Sequence, residues 1–270
     1  MTRAPWVSEK PSRPWAKPGQ SWDTSIGWRF TNPAFDADTT LSMPQTAERV
    51  AERWSLQREE LDAFALRSHA RALDAQKNGR FDAEIVAVGE VVRDEGPRPD
   101  TTDEKLAGLR PIHGPGGVIT AGNSSSLNDG AAAVVLVSER YAAVNGLQPR
   151  ARVVGGANAG VSPDIMGIGP VPATRRVLER TGWTVGELDA VELNEAFASQ
   201  ALACMRELGL EEDIVNTEGG AIALGHPLGC SGTRITLTLL NRLERSGGRR
   251  GLATMCVGVG QGSALLLERP

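Results

Sequence analysis

The sequence predicts a layered α/β fold, and three observations carry that prediction. From about residue 150 onward, apolar strand-type runs alternate with helix-type runs. Two of the strand-type runs, 190–193 and 252–255, end in the polar or glycine-rich stretches NEAF (194–197) and CVGVGQG (256–262). The last two runs, 251–257 and 263–268, are joined by a glycine turn and read as an antiparallel hairpin. Ligands of open α/β sheets gather at the carboxyl ends of strands, so these ends are where chemistry is expected.

Taken in order, residues 1–45 are punctuated by Pro and Gly and read as loop. A helix follows over 45–54, and Ser55 is placed to N-cap the next one. In that second helix Leu61, Phe64, Ala65, Ser68 and Ala72 share one face, and the pattern stops near Gly79. His69 beside that face reads as a surface or packing histidine, and His113, in the turn PIHGPGG, as structural. The run AEIVAVGEVV (83–92) predicts a strand, and a short helix follows at 104–109. The stretch TAGNSSSLNDG (120–130) reads as a turn of small polar residues, leading into a buried strand over 131–137.

Beyond it the expected order is strand 151–157, helix 172–181, strand 190–193, helix 195–208, a turn bearing His226, helix 233–246 and the hairpin. Thr184 and Glu187 have capping-box spacing. Ile235, Leu239 and Leu243 fall on one face of the helix after His226.

Composition narrows the function. A net charge of -4 gives no footprint for nucleic acid. No apolar run is long enough to span a bilayer, and 1–15 has no apolar core of a secretory signal, so neither membrane nor export is expected. Three cysteines at irregular gaps form neither a disulfide framework nor a metal site, and a cytoplasmic location follows.

The candidate chemistry lies in three stretches. GGAIALGHPLGCSG (219–232) holds His226 between Gly225 and Pro227, and its glycines allow the backbone to turn and approach a ligand closely. Asn194 opens NEAF, and Cys256 opens CVGVGQG. An imidazole can donate to a carbonyl oxygen or act as a base near neutral pH. The Cys256 thiol could be a nucleophile, a proton donor and acceptor, or a small buried hydrophobe. Gly258 and Gly260 leave backbone N–H groups free to face a developing oxyanion. Together these suit enolate or tetrahedral chemistry at a carbonyl.

These three stretches resemble the C-terminal signatures of the thiolases, the acyl-CoA acetyltransferases. Residues 3–7, DTSIGWRF (23–30), TAGNSSSLNDGAA (120–132) and MGIGPVPA (166–173) extend the resemblance over nearly the whole chain. The wording is most like the degradative 3-ketoacyl-CoA and β-ketoadipyl-CoA thiolases. The resemblance implies the exchange of 3-oxoacyl-CoA and CoA with acyl-CoA and acetyl-CoA, in fatty-acid degradation or β-oxidation. CoA and acyl-CoA would be substrates, with no permanently bound cofactor and no metal.

It also assigns roles. Cys256 would be the acid/base thiol, His226 the activator of a nucleophile and an oxyanion donor, Asn194 the holder of a water in the same hole. Gly258 would supply an N–H to a second oxyanion hole. Met43, Ala121, Ser125 and Phe197 would line the pantetheine tunnel. Ser42 stands where some relatives have a histidine, and Cys204 and Cys230 read as packing residues.

The implied fold is the layered α-β-α thiolase fold with its N-terminal half mostly missing. Residues 1–127 would be a loop domain that binds CoA, 128–149 a remnant of the N-terminal half and 150–270 a complete C-terminal half. The acyl-carrying cysteine of the family belongs to that N-terminal half. The chain alone would then be inactive, a CoA-ester binding protein, or one half of a split enzyme completed by another chain. A homo-oligomer is the other expected assembly.

Overall fold

The computed structural model describes residues 3–17, 19–25, 31 and 34–270. Residues 26–30, most of DTSIGWRF, lie outside the described residues. Among the described residues, the N-terminal segment is loop apart from one small antiparallel pair, β1 (Trp6–Ser8) with β2 (Ser21–Asp23), and a single-turn helix at Ala37–Thr39.

Helix α1 (Met43–Arg53) begins with a capping box: the Ser42 hydroxyl accepts from Gln45 N–H, and the Gln45 side chain accepts from Ser42 N–H at 2.9 Å. Helix α2 (Arg58–Lys77) starts later than Ser55 suggests. Ser55 sits in the left-handed region (φ 52), and the Glu60 carboxylate instead accepts from the Gln57 N–H. Its expected face is buried: Leu61, Phe64, Ala65, Ser68 and Ala72 all point inward. His69 is buried beside them, its Nδ1 accepting the Arg98 N–H at 3.2 Å, which is the packing role expected of it.

Two expected strands do not form. Residues 83–92 hold only an isolated bridge between Val88 and Val91, with Val86 and Val88 exposed. Residues 131–137 form no ladder, and Val135 is 90% and Leu136 75% exposed. Both runs have strand composition, but a ladder needs a neighbouring strand, and none lies alongside either among the described residues. Glu84 turns toward the C-terminal half, where its carboxylate accepts from Thr238 and Asn241. Two short helices flank the second run, α3 (Asp103–Ala107) and α4 (Glu139–Val144).

The C-terminal half follows the expected order. It consists of β3 (Arg152–Gly160), α5 (Pro170–Thr181), β4 (Ala190–Leu193), α6 (Ala198–Leu208), a one-turn α7 (Ala221–Leu224), α8 (Leu228–Ser246), β5 (Arg250–Val257) and β6 (Gln261–Glu268). The sheet runs β3-β6-β5-β4, with β4 parallel to β5 and β6 antiparallel to both of its neighbours. Val215 adds a parallel bridge beyond β4.

Alternation along β5 and β6 divides the core. Leu252, Cys256, Ala264 and Leu266 face a layer containing α1, α2, α5 and α6. Ala253 and Leu267 face α8, where Ile235, Leu239 and Leu243 pack against them as their spacing predicts. The arrangement is α-β-α. The first layer draws on residues from Ala47 to Leu266, so the segment before residue 127 shares one core with the C-terminal half.

Candidate active site

Parallel pairing brings two of the three stretches together. Leu193 lies beside Thr254, and the Asn194 N–H donates to the Thr254 carbonyl at 3.0 Å. Asn194 therefore sits at the same strand ends as Cys256, two residues further along β5. Helix α8 starts five residues before the expected 233, so His226 lies immediately ahead of its first turn. There the Asn194 amide Nδ2 is 3.4 Å from His226 Nε2.

His226 is held through both its ring and its backbone. Its Nδ1 is 2.6 Å from the Ser231 hydroxyl, and its backbone N–H is shared between the Ser126 carbonyl (3.1 Å) and Asn128 Oδ1 (3.2 Å). Burial pushes its pKa down to about 4, and the nearby Arg234 guanidinium pushes the same way. It is a neutral imidazole at pH 7. Burial also pushes the Cys256 thiol up to about 12, so it rests protonated. Asn194 Oδ1 is buried with no hydrogen-bond partner, an unmet acceptor beside the imidazole.

The second residue of NEAF is a clamp. Glu195 is buried, and its carboxylate accepts from Ser68 Oγ on α2 (2.7 Å), Asn216 Nδ2 (2.9 Å) and Ile222 N–H (3.2 Å). Burial raises its pKa, while the Ser68 and Asn216 bonds oppose the rise. It ties the NEAF turn, α2 and the loop leading to His226 into one unit.

Two glycines of 219–232 serve that unit. A Cβ on Gly220 would lie 2.1 Å from the Glu195 carboxyl carbon. One on Gly225 (φ 94) would lie 2.2 Å from Asn128 Oδ1. At these two positions the close approach is of chain to chain. In the turn after Cys256, the Gly260 carbonyl accepts the Val161 N–H at 2.7 Å. Gly258 is open: a Cβ there would meet only the Met43 sulfur, at 4.0 Å.

The residues expected along the tunnel lie in three places. Met43, half-buried at the start of α1, lies beside Gly258 and so borders the strand ends. Ala121 is exposed. Ser125 and Phe197 lie where segment 123–125 runs against the NEAF turn. Both the Ser125 N–H and its hydroxyl donate to the Ala196 carbonyl at 3.0 Å, and Ser124 bridges Phe197. Phe197 is buried in the core. Ser42 caps α1, and its hydroxyl is 3.3 Å from His113 Nε2. Cys204 and Cys230 are buried, as packing residues are.

Sequence reasoning missed Ser231, Asn128, Ser68 and Glu195. Glu195 had a visible signal, an acid at the end of an apolar strand within NEAF. Ser231 shows its role only once α8 is known to start at Leu228.

Comparison with known proteins decides the family. The model described as the C-terminal domain of thiolase matches residues 147–269, and that of the N-terminal domain matches residues 1–140. The chain belongs to the thiolase family. The N-terminal match is broader than the remnant at 128–149 that the resemblance implies.

The chain is 56% identical to a β-ketoadipyl-CoA thiolase of Pseudomonas aeruginosa, over 100% of this chain and 70% of that protein. It is 53% identical to the 3-oxoadipyl-CoA/3-oxo-5,6-dehydrosuberyl-CoA thiolase of Escherichia coli, with the same coverage. Among solved structures it resembles the acetyl-CoA acetyltransferase of Bacillus anthracis (TM-score 0.88, 44% identity, 98% of this chain and 68% of that one). It also resembles human mitochondrial 3-ketoacyl-CoA thiolase (TM-score 0.89, 38% identity, 100% and 69%). The thiolase fold and an acyltransferase family are therefore established. Thiolases take CoA thioesters as substrates and hold no permanent cofactor. Among the described residues no helix is long and apolar enough to cross a membrane.

Proposed function

We propose that this chain carries the carbon–carbon bond-cleaving part of a thiolase site for 3-oxoacyl-CoA thioesters. The names of its relatives favour an acyl group that ends in a second carboxylate, in the manner of β-ketoadipyl-CoA. Fatty-acid β-oxidation is the broader alternative. The observation that carries the reading is Asn194 Nδ2 at 3.4 Å from His226 Nε2, at the strand ends where Cys256 also lies.

In the cleavage direction, His226 Nε2 takes the proton of an incoming thiol. The resulting thiolate adds to the 3-oxo carbon. The protonated Nε2 and the water held by Asn194 then face the oxyanion. The bond between C2 and C3 breaks, its electron pair passes into the acetyl-CoA enolate, and the Cys256 Sγ–H protonates C2. The resting protonated thiol suits that donation. Gly258 N–H faces the thioester oxygen of the enolate. Met43, Ala121, Ser125 and Phe197 border the pantetheine, within a CoA-binding loop domain at 1–127, a segment 128–149 of the N-terminal half and a catalytic C-terminal half at 150–270.

The acyl-accepting thiol is not among the three cysteines of residues 1–270. Cys204 and Cys230 are buried as packing residues in α6 and α8, and Cys256 has its own part in the reaction. The chain alone then binds CoA esters without turnover, and a second chain that brings the acceptor thiol would restore it. Calorimetry with acetyl-CoA should show binding, while acetoacetyl-CoA with CoA should show no cleavage by the purified chain. Turnover by the chain alone would overturn the missing acceptor. Absence of acetyl-CoA binding would overturn the site itself.

A further inference from the structure

We infer that Ser231 is a positioning residue that fixes the tautomer of His226, keeping the proton on Nδ1 and the lone pair on Nε2. Ser231 is fully buried in the first turn of α8, and its hydroxyl touches two groups. It lies 3.1 Å from the Pro227 carbonyl, four residues back along the helix, and 2.6 Å from His226 Nδ1.

A serine has one hydroxyl proton. We assign it to the Pro227 carbonyl, at 3.1 Å, as the back-bond that serines make inside helices; that carbonyl also takes the Cys230 and Ser231 N–H groups at 2.9 Å. The serine oxygen must then accept from the imidazole, which puts the ring proton on Nδ1. The other side of the ring agrees. Nε2 faces the Asn194 amide nitrogen, a donor, at 3.4 Å. Two donors meeting there would clash electrostatically, and a lone pair on Nε2 removes the conflict. Free imidazole side chains in water favour the opposite tautomer, with the proton on Nε2. The serine therefore imposes a choice that the ring would not make by itself.

The choice matters for the reaction. A ring protonated on Nε2 would present a donor to the incoming thiol and could not accept its proton. Burial keeps the ring neutral at pH 7, so no second proton blurs the distinction. The inference rests on His226 as the base of the proposed site. Its test reads the ring directly and needs no turnover.

The chain has three histidines, His69, His113 and His226, so long-range proton–nitrogen correlation spectra of the 15N-labelled full chain resolve each ring. His226→Gln assigns the third set. At pH 7, His226 should show a pyrrole-type Nδ1 and a pyridine-type Nε2. In Ser231→Ala it should move to the Nε2–H form or a mixture, and Ser231→Thr should restore the Nδ1–H form. The signal of His69, a ring buried in α2, reports whether each variant is folded. An Nε2–H ring in the unsubstituted chain overturns the inference whether or not any variant folds. So does an Nδ1–H ring that survives in folded Ser231→Ala. A correct tautomer together with no acetyl-CoA binding would sink the functional reading and leave this one standing.

Discussion

At the level of the single side chain, the protonation of His226 couples the site to stability. Its pKa is about 4 in the folded chain against 6.5 for a free histidine, because burial penalises the charged ring and Arg234 adds to the penalty. Between those values the unfolded chain binds a proton that the folded chain refuses. The stabilisation is complete above pH 6.5 and is lost as pH falls toward 4. Glu192 acts with the opposite sign: burial raises its pKa to about 8, so its folded form keeps a proton that the unfolded chain releases above its ordinary value. Comparing the chain with His226→Gln cancels Glu192 and every other group the two share. The stability advantage of the unsubstituted chain in urea unfolding should shrink by about 2 kcal/mol from pH 7 to pH 5. An advantage that does not change with pH would mean the ring is not shielded as its surroundings require.

Among elements, the unit formed by α2, the NEAF turn and the loop before His226 is joined through one carboxylate. Glu195 receives three hydrogen bonds, so it cannot swing away from an intruding methyl group on Gly220. Gly220→Ala should therefore destabilise by about 1–3 kcal/mol through overpacking. Glu195→Ala should cost about 3 kcal/mol by stranding the Ser68 and Asn216 donors. Because Glu195→Ala also vacates the space the new methyl needs, the double variant should be more stable than the sum of the two costs by at least about 1 kcal/mol. Additive costs would place the strain of Gly220→Ala elsewhere. The same unit shows what a sequence can and cannot reveal. The C-terminal strands and helices were legible because each carries its own period and finds its partner inside the chain, as Ile235, Leu239 and Leu243 find Ala253 and Leu267. Asn194 and Cys256 were legible as a pair through their strand-end positions, whereas His226 follows α7 and meets Asn194 only through the fold. The runs 83–92 and 131–137 were misread because β-branched composition reports only a capacity to pair. The role of Ser231 was hidden because it depends on where α8 begins, and a start at residue 233 leaves that serine outside the helix.

For the molecule as a whole, the same missing ladder has a consequence for behaviour in solution. The core is continuous from Ala47 to Leu266, so folding of the C-terminal half and of helices α1 and α2 should be a single transition. The run 131–137 contributes almost nothing to it: Val135 is 90% and Leu136 75% exposed, and Val144 in α4 is exposed nearby. An extended apolar segment with free backbone groups is a surface on which a second chain can pair. A net charge of only -4 over 270 residues opposes such pairing weakly. Sedimentation velocity should therefore show self-association that grows with concentration. Val135→Lys with Leu136→Lys should suppress it by adding charge where a partner would bury apolar surface. Because both side chains already face water, the urea midpoint of the double variant should stay within the few tenths of a kcal/mol typical of surface changes. A large loss of stability would mean that the run packs in the folded chain after all. Unchanged self-association with an unchanged midpoint would move the contact to another face.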